Sequence, residues 1–251
     1  MTIPPEVLFH FLKKIHNDFQ SLTEVLQFDK WHALHRAIIT LYGSIFELTG
    51  SCITLIDKEQ IIGVPILLRS ILEGYIDLLN LVHDANYGYH LEASLLKEWL
   101  KLLDEAKVGN NEFLTYLATI PNQTIDQLKC KYKELKKKGY KPLAIEEKFK
   151  RAAMYKEYRS IFNMLCCDSH NNLRSLFTRH ITQEYPDDFS IVIYKASTPK
   201  DSAMHVALIA DYFLKATEVL HDFLKSPVRD KIALYRSELD RLGGEASSVT
   251  I

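Results

Sequence analysis

The chain has 251 residues, 47% of them hydrophobic and 25% charged, the ordinary mix of a globular protein able to bury a substantial core. Against 31 Lys plus Arg stand 32 Asp plus Glu, so no global field draws the molecule to nucleic acid or anionic lipid, and only a local patch could do so. Nine glycines and eight prolines are too few to punctuate many short strands, so long helices are expected.

Pro4-Pro5 opens a first helix whose apolar residues Val7, Leu8, Phe11, Leu12, Ile15, Phe19 and Leu22 recur at helical spacing. A second is expected from Asp29 or Lys30 to about Asp57, with Leu34, Ile38, Leu41, Ile45, Leu48, Cys52 and Leu55 on its inner face. A third runs from about Lys58 to Asp84, and Pro65 makes it either start near Gly63 or bend there. A fourth spans about His90 to Lys107 and ends at Gly109-Asn110-Asn111.

Glu112 to Thr119 reads as a short helix closed by Pro121, and Thr124 to Lys138 as a lysine-rich helix stopped by Gly139. The stretch from Pro142 to His180 reads as a short helix followed by a long one, and Tyr185 to Ser197 as an extended loop or lone ribbon. Thr198-Pro199-Lys200-Asp201 starts a helix to about Lys225, with a capping hydroxyl, Pro at the first position and an acid in the first turn. Pro227 separates it from a last helix ending near Leu242, and residues 243–251 read as a disordered tail. The expected architecture is all-α: a single multi-helix bundle over residues 1–242, with residues 121–151 as an inserted basic helical segment.

Cys52, Cys130, Cys166 and Cys167 form no C-x-x-C pair and read as free thiols of a reducing compartment. The first residues show no signal-peptide pattern, and the most apolar window, Ile61 to Val82, contains Arg69, Glu73 and Asp77. A cytoplasmic protein without a membrane span is expected.

Two polar clusters interrupt apolar helices. Arg69 and Glu73 are one turn apart in "LLRSILEGYIDLLNL", with Asp77, Asn80 and Asp84 continuing roughly along their face. Buried charge is costly unless paired, so this is either a structural pair holding another helix or part of a site. His170 and Arg174 are likewise spaced one turn apart in "FNMLCCDSHNNLRSLF". An imidazole can move a proton near pH 7 and a guanidinium can hold phosphate or carboxylate, while a solvated helix end is the bland alternative.

His180 follows Arg174 with five residues between, similar to the Arg, four to six residues, His pattern of the HEPN superfamily of helical ribonucleases, although Ser175 departs mildly from the Asn, Asp or His common after Arg. The segments "GVPILLRSILEGYIDLLNL" and "KPLAIEEKFKRAAMYKEYRSIFNMLCCDSHNN" resemble a family of bacterial all-helical proteins catalogued as a domain of unknown function, over roughly Leu34 to Leu176. That resemblance implies Arg69, Glu73 and His170 as the polar positions of interest. Its helical layout is similar to HEPN-type proteins, many of them toxins or antiviral ribonucleases, and their sites, often assembled across a dimer, imply a homodimer. Fold likeness alone does not fix activity.

Other constellations are weaker. His32 and His35, with His16 upstream, could suggest a metal but fit better as surface histidines of an amphipathic helix, and Glu218-x-x-His221 lacks the second Glu-x-x-His of a di-iron bundle. No phosphate-binding Gly-rich loop, Gly-x-Ser-x-Gly elbow or H-E-x-x-H is present. Between Lys129 and Lys141 lie seven lysines with Tyr132 and Tyr140 interleaved, either a solvated helix face or an RNA contact through Lys133, Lys136, Lys137 and Lys138.

The expected function is a metal-independent, HEPN-like RNA endonuclease, a toxin or antiviral defence component, with no cofactor and with Arg69, Glu73, His170, Arg174 and His180 as its catalytic set. The alternative is a non-catalytic helical module that binds an anionic ligand or a protein, or whose polar cluster locks the bundle.

Overall fold

The computed structural model describes residues 4–170, 172–185, 188–193 and 199–247. The protein is all-α, with one two-stranded ribbon among the described residues. Its centre is built by α1 (Pro5–Thr23), α2 (Ala33–Asp57), α3 (Val64–His83) and α10 (Pro199–Phe223), whose apolar stripes meet in one large core. The most extensive pairing is α2 with α3, because a short connection folds α3 back along α2 and Gly74 lets the two backbones approach. A Cβ at Gly74 would stand 3.2 Å from Ile45 Cγ1. α11 (Arg229–Ser247) closes the bundle against α10 and α1.

α2 is long and apolar enough to cross a membrane by length and composition alone. Its inner face, Ile38, Tyr42, Ile45 and Cys52, is buried in the core shared with α3 and α10.

Several element bounds differ from the sequence expectation for local reasons. α2 starts at Ala33, because Asp29 Oδ1 accepts the Trp31 N–H at 2.8 Å and Arg36 donates to the Lys30 and Trp31 carbonyls, closing a turn. Pro65 sits in the first turn of α3 after a 3₁₀ turn at Ile61–Gly63, so the helix starts there and does not bend. α4 (Tyr87–Val108) ends on Gly109 at φ +78°, the left-handed stop the glycine promised. Glu112–Thr119 is 3₁₀ rather than α. α11 continues past Leu242 to Ser247, since paired glycines weaken a helix without stopping it, and residues 248–251 lie outside the described residues, as does Thr198.

α4 and α5 (Asn122–Lys137) pack on each other over two small clusters of their own, Leu100, Leu103, Ala106, Leu117 and Ile125, then Ala93, Leu96 and Leu135. α6 (Ile145–Arg151) returns to the main core through Phe149.

The short helix expected after Pro142 is α6, and the long one expected to follow it to His180 is interrupted twice. Ala153 at φ +57° separates α6 from α7 (Tyr155–Glu157). A π-helical turn at Tyr158–Phe162 leads into α8 (Asn163–Ser169), which stops at His170. α9 (Leu173–His180) then begins afresh, with the Asn172 side chain accepting the Arg174 N–H. The chain next forms the ribbon, β1 (Ile181–Tyr185) antiparallel to β2 (Asp188–Ile191), with Ile181 opposite Ile191 and Thr182 opposite Ser190. It begins earlier than the extended segment read from the sequence.

Candidate functional site

α8 lies along α3, and Phe162 at the end of the π turn, Cys166 and His170 just past the helix, spaced four apart, face that helix. Arg69 is the hub. Its Nη1 donates to His170 Nε2 at 3.1 Å, its Cζ stands 5.3 Å from the centre of the Phe162 ring, and its Nε lies 3.0 Å from Glu73 Oε1. The Nε–H is not aimed at that carboxylate and finds no hydrogen-bond acceptor among the described residues, so Arg69 and Glu73 attract as charges without a hydrogen bond.

The cluster is half-open: Arg69 and Glu73 side chains are 25% and 40% exposed, and His170 is exposed. A guanidinium can only donate, so His170 Nε2 accepts and the neutral ring carries its proton on Nδ1. Burial, the larger cause, holds the nearby Cys166 thiol above its ordinary range, and Arg69 pulls the other way.

The remaining expected residues divide. The break at His170 takes Arg174 off the face it was expected to share with His170; Arg174 lines a groove on the other flank of α8 with Asn163, Cys167, Asp168 and Arg179. His180 ends α9, its Nδ1 2.9 Å from the Val192 carbonyl oxygen. Six residues along an α-helix amount to a rise of about 9 Å and a rotation of roughly 240°, so Arg174 and His180 occupy different faces of α9. Lys133, Lys136, Lys137 and Lys138 are exposed on α5, with Lys136 Nζ 5.7 Å from the Tyr132 ring centre. The flanking Lys129 and Lys131 are tied to Asp104 and Glu92 on α4.

The other polar residues of α3 play a different part. Asp77 accepts from Tyr87 Oη at 2.5 Å and from Lys148 Nζ at 2.9 Å, and buried Asn80 donates to the Lys148 carbonyl. These tie α6 and the start of α4 to the core.

Among the described residues no three His, Cys, Asp or Glu side chains converge as metal ligands. His35 Nδ1 accepts the Asp29 N–H, and Glu218 is held by a bidentate bond from Arg236, so these two members of the fragments suggestive of metal have other partners.

Sequence reasoning missed Arg179 and the Phe162 platform. The spacing of Phe162, Cys166 and His170 would have revealed the second, but Arg179 carries no signal without the restart at Leu173.

No curated protein and no solved structure matches the chain. Residues 35–189, which include α3, the π turn, α8 and α9, match the family of unknown function DUF5677, and the chain belongs to that family.

Proposed function

We propose that the Arg69–Glu73–His170 cluster cleaves RNA without a metal, and that the protein is a HEPN-like endonuclease of the toxin or antiviral kind. The observation that carries the reading is an exposed imidazole hydrogen-bonded to a charge-paired guanidinium where α8 packs on α3. In the absence of substrate Arg69 covers the His170 lone pair. A phosphodiester arriving at Arg69 draws the guanidinium onto its oxygens and frees Nε2 to act as base.

His170 then takes the 2′-hydroxyl proton as that oxygen attacks the adjacent phosphorus. The bond to the 5′-oxygen breaks, that oxygen takes a proton from solvent, and a 2′,3′-cyclic phosphate and a 5′-hydroxyl are left. Arg69 neutralises charge on the pentacoordinate phosphorus, and Glu73 restrains Arg69. The lysine face of α5 supplies sequence-independent phosphate contacts. A homodimer in the cytoplasm is part of the proposal, and a light-scattering mass in solution checks the dimer.

The test is incubation with labelled single-stranded RNA in EDTA, beside His170→Ala. Cleavage with cyclic-phosphate ends, lowered about 10²- to 10⁴-fold in the variant, supports the reading. Absence of wild-type cleavage, or equal cleavage by both proteins, removes it.

One observation favours a second reading. Arg69 already has Glu73, Phe162 and His170 around it, as a strut locking α8 onto α3 would, in a non-catalytic module. That reading expects no cleavage and a large loss of stability when Arg69 is removed.

A further inference from the structure

The groove between α8 and α9 is a second polar site, on the flank of α8 turned away from Arg69. It encloses about 410 Å³, and its walls carry Arg174 and Arg179 against the single carboxylate of Asp168. That carboxylate is already engaged, accepting the Ser175 hydroxyl at 2.7 Å. Among the described residues neither guanidinium has a carboxylate within ion-pair distance.

Arg179 is anchored and incomplete at once. Its Nε donates to the Ser175 carbonyl at 3.3 Å, while its Nη2 is closed off from solvent and has no acceptor among the described residues. A guanidinium cannot shed its proton to relieve such a site, and an enclosed donor without a partner is destabilising. Arg179 also lines the groove, so an oxyanion there meets the rest of its fork.

We propose that this groove binds a phosphate group, Arg179 and Arg174 gripping its oxygens from two sides. The planar fork of each guanidinium matches phosphate oxygens in pairs. The walls hold one positive charge in excess, which a phosphate monoanion or a strand phosphodiester cancels. The π turn positions the opposite rim: the extra residue in its ring brings Ser160 and Asn163 to the groove, while Phe162 stays under Arg69.

The phosphate has two sources, a free small molecule or an RNA strand, and calorimetry at low ionic strength separates them. Inorganic phosphate and a short single-stranded RNA are each titrated into wild type, Arg174→Gln, Arg179→Met and His170→Ala. Wild type should bind phosphate saturably, each arginine variant should bind it about tenfold more weakly or worse, and His170→Ala should bind it as wild type does. The inference therefore stands apart from RNA cleavage, which the His170 variant removes.

Parallel loss of RNA affinity in the arginine variants assigns the groove to a strand phosphate. Unchanged RNA affinity assigns it to a free phosphate. Arg179→Met should keep or raise the thermal midpoint, because it removes an unpaired enclosed donor. Should it fail to fold, Arg174→Gln, with its exposed side chain, decides alone. Non-saturable phosphate binding by wild type, or equal affinity in the variants that fold, overturns the proposal.

Discussion

α3 carries two charged clusters two turns apart, and they are built to opposite plans. At Asp77 both carboxylate oxygens are engaged, by Tyr87 and Lys148, and the ion pair is 15% and 20% exposed at its two ends. At Arg69 one guanidinium N–H has no acceptor, the paired carboxylate is 40% exposed and the histidine stands open. A completed, shielded pair ties elements together. An incomplete, half-open one has interactions left over for something else. The same helix thus carries one fully satisfied charge and one left incomplete, the contrast on which the proposed role of Arg69 rests.

The contrast breaks most visibly at Asp77. Asp77→Ala leaves the Lys148 ammonium shielded without its partner and should cost about 3–5 kcal/mol in urea unfolding. A loss under about 1 kcal/mol would put Asp77 on a par with a surface charge and erase the distinction. A smaller effect separates two histidines. His221 is buried with neither ring nitrogen bonded among the described residues, and desolvation, the larger cause, holds its pKa below the ordinary 6.5.

The unfolded chain therefore binds the proton first as pH falls, so the stability of neutral His221 is present above pH 6.5 and lost below it. His221→Leu should flatten the fall in stability below about pH 6.5 without abolishing it, because half-buried His16 is depressed the same way. An unchanged slope would show that His221 does not couple folding to pH. The smallest effect is at Glu73, where Glu73→Gln should change stability by no more than about 1 kcal/mol and lower RNA cleavage. Stability lost to the extent expected at Asp77 would make Glu73 structural too.

Much of α3 was legible because Pro65 and the apolar spacing of its inner face fix its start and its register, and Arg69 and Glu73 stand out as charges among Leu and Ile. His170 was legible for the same reason, polarity following "IFNMLCC". Its meeting with Arg69 was not, because 101 positions separate the two and only packing joins them. Arg174 was misplaced by a single assumption, that helix continues through residues 170–172. Asn172 caps a new helix there, and an Asn in such a run reads equally well as an exposed helical residue. The π turn left no mark that composition could reveal, yet it sets which side of α8 faces which neighbour.

The central claim is that Arg69 works as a functional group and not as a strut, and one variant read two ways tests it. Arg69→Met keeps an apolar stem against Phe162 while removing the charge. On the same sample, RNA cleavage in EDTA should fall at least about 100-fold while urea unfolding shows a loss near 1 kcal/mol. Unaltered cleavage, or a loss of stability as large as that at Asp77, would contradict it.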